Sequence, residues 1–172
     1  MKKLIITLCV AMCAVSASAQ TFASAVTSSD NWAVGLRIGS GFQAKAEYVL
    51  PSQNYIEGRF GMSWLNRGAT LMADFTALYN WHLLDMDWTP STGNWFVDAG
   101  CGVVVGGREH YAYVGAAGSV KFGIKFYNVP LKLAVDWTPF IGPEIAYSKG
   151  YTASRFNKYG FANFGISCVY CF

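Results

Sequence analysis

The sequence predicts an all-β protein, an eight-stranded antiparallel transmembrane β-barrel with up-and-down topology. Three observations lead to this fold class. Apolar and polar residues alternate with a period of two in eight segments, which is typical of strands with two unlike faces. The charged residues of these segments fall on one face only. The composition is 53% hydrophobic and 13% charged, yet beyond the first 19 residues no apolar run reaches the roughly 18 residues of a spanning helix.

A closed barrel reconciles the apolar composition with the short runs. In lipid every backbone polar group needs a partner within the protein, and only helices and closed barrels provide one. The 18 glycines and the aromatic content of 16% also favour strands. We therefore expect the apolar residues to form the outer wall of a barrel.

The first residues have the pattern of an export signal. Residues 1–19 contain Lys2 and Lys3, an uncharged apolar run and the small residues before Ala19, and we predict a cleaved signal peptide. Residues 20–31 are small and polar and are interpreted as a flexible periplasmic lead, so the barrel occupies 32–172. Without Lys2 and Lys3 the formal charge of +3 falls near neutrality, and no basic patch predicts nucleic-acid binding.

The first four strands follow one another with short polar connections. We predict them at residues 32–38, 42–50, 55–64 and 70–82. Gly39-Ser40-Gly41, the turn Pro51-Ser52-Gln53-Asn54 and the polar residues 65–69 separate them. With both termini in the periplasm, 39–41 and 65–69 become external loops.

The other four strands have longer connections. We predict them at residues 95–105, 113–127, 131–138 and 163–172. A periplasmic connection at 83–93 precedes them, and the turn Asn128-Val129-Pro130 lies between the sixth and the seventh. The remaining external loops are 106–112 and 141–157, of which the second is the longest.

Eleven charged residues share the face that lacks large aliphatic side chains. They are Arg37, Lys45, Glu47, Glu57, Arg59, Asp74, Asp98, Lys121, Lys125, Lys132 and Asp136. A charge at the lipid midplane costs about 2–4 kcal/mol, so the aliphatic face is expected to meet lipid and the charged face to line the lumen. A soluble barrel such as a lipocalin would show the reverse. The lumen of eight strands is just wide enough for side chains, which predicts a self-paired polar plug; a narrow ion channel is the alternative.

The end of the chain carries a more specific pattern. Residues 163–172 alternate up to a terminal aromatic, with Gly165 seven residues before Phe172 and Tyr170 two before it. This ending resembles the assembly signal of bacterial outer-membrane barrels. With the signal peptide and the alternating strands, the chain is similar to small barrels of the OmpA/OmpX-like type. The resemblance implies a Gram-negative outer membrane, contact with its lipid, insertion by the barrel-assembly machinery, and a role in surface interaction or envelope integrity.

The resemblance supplies no catalytic residue, and we expect function to reside in the external loops. Loop 141–157 mixes aromatic and charged side chains and is predicted to contact an unknown extracellular ligand. The candidate contact residues are Tyr147, Lys149, Tyr151, Arg155 and Phe156. Some small barrels of this shape modify lipid A at the outer rim, so such an enzyme is the alternative from another class.

An enzyme would need a reactive group near the outer rim. The pair Glu109-His110 lies in a predicted external loop, with Ser119, Ser148 and Ser154 as conceivable neighbours. This spacing matches no known motif, and a loop His beside a Glu is usually a solvated pair. We therefore predict no catalytic residue. His82 lies at the end of a strand with its side chain pointing inward, and it is interpreted as a hydrogen-bonding residue of the core.

The cysteines predict neither a disulfide nor a metal site. Cys168 and Cys171 point to opposite faces of one strand, about 10 Å apart, which exceeds the reach of a disulfide. Cys101 lies on a strand that does not neighbour theirs. Beyond the predicted signal peptide, which contains Cys9 and Cys13, we expect three free thiols. Since no Cys/His cluster has metal-site spacing, we expect no metal or cofactor.

Overall fold

The alternating segments form antiparallel strands in the computed structural model, which describes residues 31–64, 71–88, 92–148, 151–156 and 159–172, with the backbone alone at 147–148, 151–153, 155 and 159. The predicted signal peptide and all of the lead except Asn31 lie outside these residues. The strands are β1 (Trp32–Gly39), β2 (Gly41–Val49), β3 (Tyr55–Ser63), β4 (Met72–Met86), β5 (Gly93–Arg108), β6 (Tyr111–Phe126), β7 (Leu131–Trp137), β8 (Phe140–Ile141), β9 (Pro143–Ser148), β10 (Tyr151–Phe156) and β11 (Phe164–Cys171).

The strands close into a barrel with eight wall positions, as predicted. β1 to β7 pair in sequence order, β7 pairs with β11, and β11 pairs with β1. Beyond the end of β7, the seventh wall position continues through the short strands β8 and β9. All three strands pair with β6. Pro139, which cannot donate a backbone hydrogen bond, and Gly142 separate these three pieces. The eighth position consists of β10, paired with β9, and of β11.

The register of the pairing fixes the shape of the wall. A circuit of backbone partners that leaves β6 at Lys125 and passes through β7, β11, β1, β2, β3, β4 and β5 returns to β6 at Gly115, ten residues away. With about 3.3 Å per residue and about 4.7 Å between strands, this stagger gives a strand tilt of about 40° and a barrel radius of about 8 Å. Side chains from opposite walls therefore meet in the lumen.

Three predicted connections are wrong in extent. β4 runs to Met86 because a bulge between His82 and Leu84 absorbs the adjacent leucines that break the alternation, so the predicted turn 83–93 is shorter. The predicted loop 106–112 is a hairpin in which only Glu109 and His110 lie between strands, and His110 adopts a φ of 64°.

The predicted loop 141–157 contains strands rather than irregular backbone. β9 and β10 form a hairpin, and β9 adds to β6 beyond the point where β7 ends. The longer strand β6 supplies a partner for this segment that the local sequence does not reveal. The described residues of the predicted loops 106–112 and 141–157 therefore extend the sheet beyond the end of β7 on one side of the barrel.

The two faces of the wall agree with the predicted alternation. On β3, Glu57 and Arg59 are buried in the lumen, whereas Ile56 and Phe60 are exposed on the outside. The same division holds along β4, where Asp74 and the other inward residues are buried. The barrel thus has a polar interior and an apolar exterior.

Candidate functional site

The centre of the lumen is occupied by an ion pair between Arg37 on β1 and Asp136 on β7. Nε of Arg37 donates to both carboxylate oxygens of Asp136 at 2.9 and 3.0 Å, and its Nη2 lies 2.8 Å from Oδ1. Nη1 donates to Gln43 at 3.2 Å and Nη2 to Asn163 at 3.1 Å. Both charged side chains are buried, so this bidentate pair is of the strong, charge-assisted kind.

A second ion pair crosses the full width of the barrel. Arg59 on β3 lies diametrically opposite Asp136, four wall positions away, and its Nη1 donates to Asp136 at 3.3 Å and to Thr138 at 2.9 Å. The Thr138 hydroxyl in turn donates to Asp136 at 3.0 Å. Because these side chains meet in the middle, the lumen is closed at this level.

Glu57 is the anionic hub of the network. Its Oε1 accepts from Nε of Arg59, and its Oε2 accepts from Lys121 and lies 3.1 Å from Nζ of Lys45. Lys121 also donates to Asn80 at 2.9 Å and to Tyr55 at 3.0 Å. One carboxylate thus contacts three cations from three different strands.

The network continues to the end of the lumen at which β7 begins. Lys132 lies 3.1 Å from Glu47 and 3.7 Å from Asp98, and its Nζ lies over the ring of Tyr55 at 4.3 Å. Tyr55 donates to Asp98 at 2.7 Å, and Nδ1 of His82 lies 2.8 Å from the other oxygen of Asp98. His82 is therefore a hydrogen-bonding residue of the core, as predicted.

Towards the opposite end of the lumen the charges give way to an apolar cluster. Gln43 links Arg37 to Asp74, the outermost carboxylate of the network. Beside it the rings of Tyr113 and Phe140 stack at 5.3 Å, and Gly106 makes room for them because a Cβ there would lie 2.5 Å from the Tyr113 ring. The cluster comprises Met72, Leu78, Val104, Tyr113, Ala117 and Phe140.

The charges of the lumen network balance. Ten of the eleven predicted lumen residues, five basic and five acidic, form this network: Arg37, Lys45, Arg59, Lys121 and Lys132 with Glu47, Glu57, Asp74, Asp98 and Asp136. Lys125 differs from the prediction, because it lies near the end of β6 and its side chain is exposed. Equal numbers of opposite charges allow the lumen to be filled without a net buried charge, which would be costly.

Neutral polar side chains complete the network, and the sequence did not single them out. Tyr55 and Thr138 bridge charged groups within the lumen. Asn80 and Asn163 accept hydrogen bonds from Lys121 and Arg37. Their inward parity was visible in the alternation, but an uncharged residue on the lumen face carries no signal of its own. The pairing partners follow from the stagger of the wall, which the sequence does not state.

The predicted contact residues lie on the β9–β10 hairpin. Tyr147 is on β9, and Tyr151, Arg155 and Phe156 are on β10; Lys149 lies outside the described residues. Arg155 is in register with Glu144, and Phe156 is exposed. The hairpin therefore brings these positions together on one protruding element.

The residues considered for an enzyme are dispersed. His110 and Glu109 are exposed at the tip of the β5–β6 hairpin, with 3.7 Å between Nδ1 and Oε1. Ser119 is buried in the lumen, eight residues beyond Tyr111 on β6, which is about 26 Å at the rise of a strand. Ser154 is exposed on β10. Within the described ranges, no three His, Cys, Asp or Glu side chains are placed to hold a metal ion.

Cys101, Cys168 and Cys171 are free, as predicted.

Of the three residues of the predicted assembly signal, Gly165 faces the lumen in β11 and Tyr170 pairs with Val34. Phe172 follows the strand and is partly exposed.

No family model, no curated protein and no solved structure matches this chain. In the part of the chain that is described, no helix is long and apolar enough to cross a membrane. The functional proposal is therefore based on the fold and on the residues of the barrel.

The ion-pair network predicts that substitutions of two lysines of β6 change the free energy of unfolding by very different amounts. Replacing buried Lys121 with Met removes one of the three cations that contact Glu57 and the donor to Asn80, and we expect a loss of about 3 kcal/mol in the free energy of unfolding. The matched substitution Lys125→Met, four residues along the same strand at an exposed position, should change it by less than about 0.5 kcal/mol. Urea titration of the barrel in detergent measures both. Equal effects would contradict the ion-pair account.

Proposed function

We propose that this chain is a structural and interaction protein of the Gram-negative outer membrane, a small barrel of the OmpA/OmpX-like type with a plugged lumen. The observation that carries the proposal is the outer surface of the wall. Large apolar side chains are exposed on every wall position, among them Val34, Phe42, Phe60, Phe75, Val103, Val120, Val135 and Ile166. A soluble monomer rarely exposes more than a few hundred Å² of contiguous apolar surface, so this belt needs an apolar solvent.

The positions of the exposed charged side chains also support a lipid environment for this belt. Among the described side chains, the exposed charged ones lie only at the two ends of the barrel: Asp85, Asp87 and Lys125 at one, and Arg108 and Glu109 at the other. No described charge lies on the outer wall between them. An uncharged belt between two charged rims is the arrangement that a bilayer requires.

Aromatic pairs at the strand ends add to this support. Trp32 at the start of β1 contacts Tyr48 at 4.9 Å between ring centroids, and Trp88 after β4 lies 6.5 Å from Trp95. Such rings suit the level of the lipid headgroups, where one end of the side chain is apolar and the other wet. We infer that outer-membrane lipid is the partner of this surface and that the barrel-assembly machinery inserts it.

The role we assign is non-catalytic and is carried by the outer surface. The plugged lumen argues against free passage of solutes, because Arg59 and Asp136 meet across its whole width. The β9–β10 hairpin, which adds to β6 above the end of β7, is the element we propose to contact an extracellular ligand. A protein that binds through such a hairpin needs a rigid support, and the balanced lumen network supplies it.

The membrane assignment predicts heat-modifiability. The unboiled protein from detergent-extracted envelopes should migrate differently on a gel from the boiled protein, because a closed barrel resists the detergent until it is heated. The protein should be recovered with the outer membrane after fractionation. Recovery in the soluble periplasmic fraction without a mobility shift would contradict the assignment.

The apolar belt predicts opposite tolerance of arginine at two exposed valines. Val135 lies within β7, whereas Val129 lies in the turn that precedes it, and both are exposed. Val135→Arg should cost about 2–4 kcal/mol for a barrel folded into lipid vesicles, and Val129→Arg should cost about 1 kcal/mol or less. Urea titration in vesicles measures both. In a protein that is surrounded by water, both substitutions would be tolerated.

The topology predicts which connections face the outside. A peptide tag inserted between Lys149 and Gly150, at the connection of β9 to β10, should bind antibody on intact cells. A tag between Ser52 and Gln53, in the turn after β2, should bind it only after the outer membrane is permeabilised. The reverse pattern of labelling would contradict the orientation.

A further inference from the structure

The pairing of β11 with β1 is the step that closes the barrel, and its register is not fixed by the apolar pattern. Seven residue pairs join the strands, from Ala33 with Cys171 to Gly39 with Gly165. A shift by one residue would turn the apolar residues of β11 into the lumen, but a shift by two would leave them outside. The lumen side must therefore hold the information that selects among these registers.

Gly165 is the residue at which the lumen side of β11 differs from its neighbours. It lies in register with Gly39 of β1 on one side and with Asp136 of β7 on the other. A Cβ at this position would lie 2.6 Å from both Cζ and Nε of Arg37. The guanidinium of Arg37 thus lies directly over Gly165 as it reaches from β1 across β11 to Asp136.

We propose that Arg37 selects the register of barrel closure, with Gly165 as the gap that admits its guanidinium to Asp136. If β11 slid by two residues along its neighbours, Ser167 or Asn163 would replace Gly165 opposite Asp136. Either residue carries a Cβ where the guanidinium now lies. Arg37 would then be held away from Asp136, and the ion pair at the centre of the lumen would be lost.

Three further contacts across the same seam agree with this register. Nη2 of Arg37 donates to the side chain of Asn163 at 3.1 Å, and Lys45 of β2 donates to Ser167 at 3.3 Å. At the outer end, the backbone nitrogen of Ser40 donates to the carbonyl of Phe164 at 2.8 Å. Register selection is a property of the barrel itself and does not depend on the membrane or on the proposed ligand.

The test uses Cys168 as a natural probe of register in the full chain, with Cys101→Ser and Cys171→Ser as background. Cys168 lies opposite Leu36, while Val34 lies opposite Tyr170 and Ile38 opposite Ile166. Oxidative crosslinking to Cys168 therefore reports the present register through Leu36→Cys. The slid registers are reported by Val34→Cys and Ile38→Cys.

With Gly165 present, we expect crosslinking in the Leu36→Cys protein and not in the other two. Gly165→Ala should lower that crosslink at least two-fold and raise one of the other two. Gly58→Ala is the matched control, because a Cβ at Gly58 of β3 meets nothing within 4 Å, and it should leave all three unchanged. Full retention of the Leu36→Cys crosslink in the Gly165→Ala protein would overturn register selection.

A double substitution tests whether Gly165 acts through Arg37. Gly165→Ala should lower the temperature of the gel-mobility transition, and in an Arg37→Ala background the same change should lower it no further. Additive effects of the two substitutions would overturn the proposed link between them. If Arg37→Ala does not yield a folded barrel, the crosslinking experiment still decides the question with Arg37 intact.

Discussion

A charge in the lumen of a barrel about 8 Å in radius is shielded from bulk water, so the charged side chains of the lumen face need counter-charges within the lumen. The rest of the structure depends on this constraint. Glu57 meets Lys45, Arg59 and Lys121, and Asp136 meets Arg37 and Arg59. These contacts join strands that are up to four wall positions apart, and they tie opposite sides of the wall together where backbone pairing joins only neighbours.

The sequence was sufficient for the wall because the signal there is local. Alternation with a period of two, with charges on one face, gave the number of strands, their order and the face of each residue. It failed where the signal is not local. Residues 143–156 contain proline, glycine and polar side chains and were interpreted as a loop, but the outer part of β6 provides a partner along which β9 can pair. At the other end, the bulge after His82 lets β4 continue to Met86.

The lumen was predicted as a set of residues but not as a set of contacts. Which cation meets which carboxylate depends on the ten-residue stagger around the wall, and no single strand contains that quantity. Lys125 shows the same limit. It has the parity of a lumen residue, but its position near the end of β6 exposes it to water. Once it is set aside, the remaining five cations and five anions balance.

The positions of the long charged side chains along the chain also link the ion-pair network to closure of the barrel. The long charged side chains Arg37, Lys45 and Arg59 come from β1, β2 and β3. Among their partners, Asp136 lies in β7, Thr138 directly follows β7, and Ser167 lies in β11. Hairpins between consecutive strands can form from local contacts, but these contacts span about a hundred residues of chain. Such long-range contacts carry a large loop-closure entropy, so we expect burial of the charges and closure of the wall to be one cooperative event. An open sheet of the same strands would leave the same charges in water, which explains why the ion pairs stabilise the closed barrel in particular.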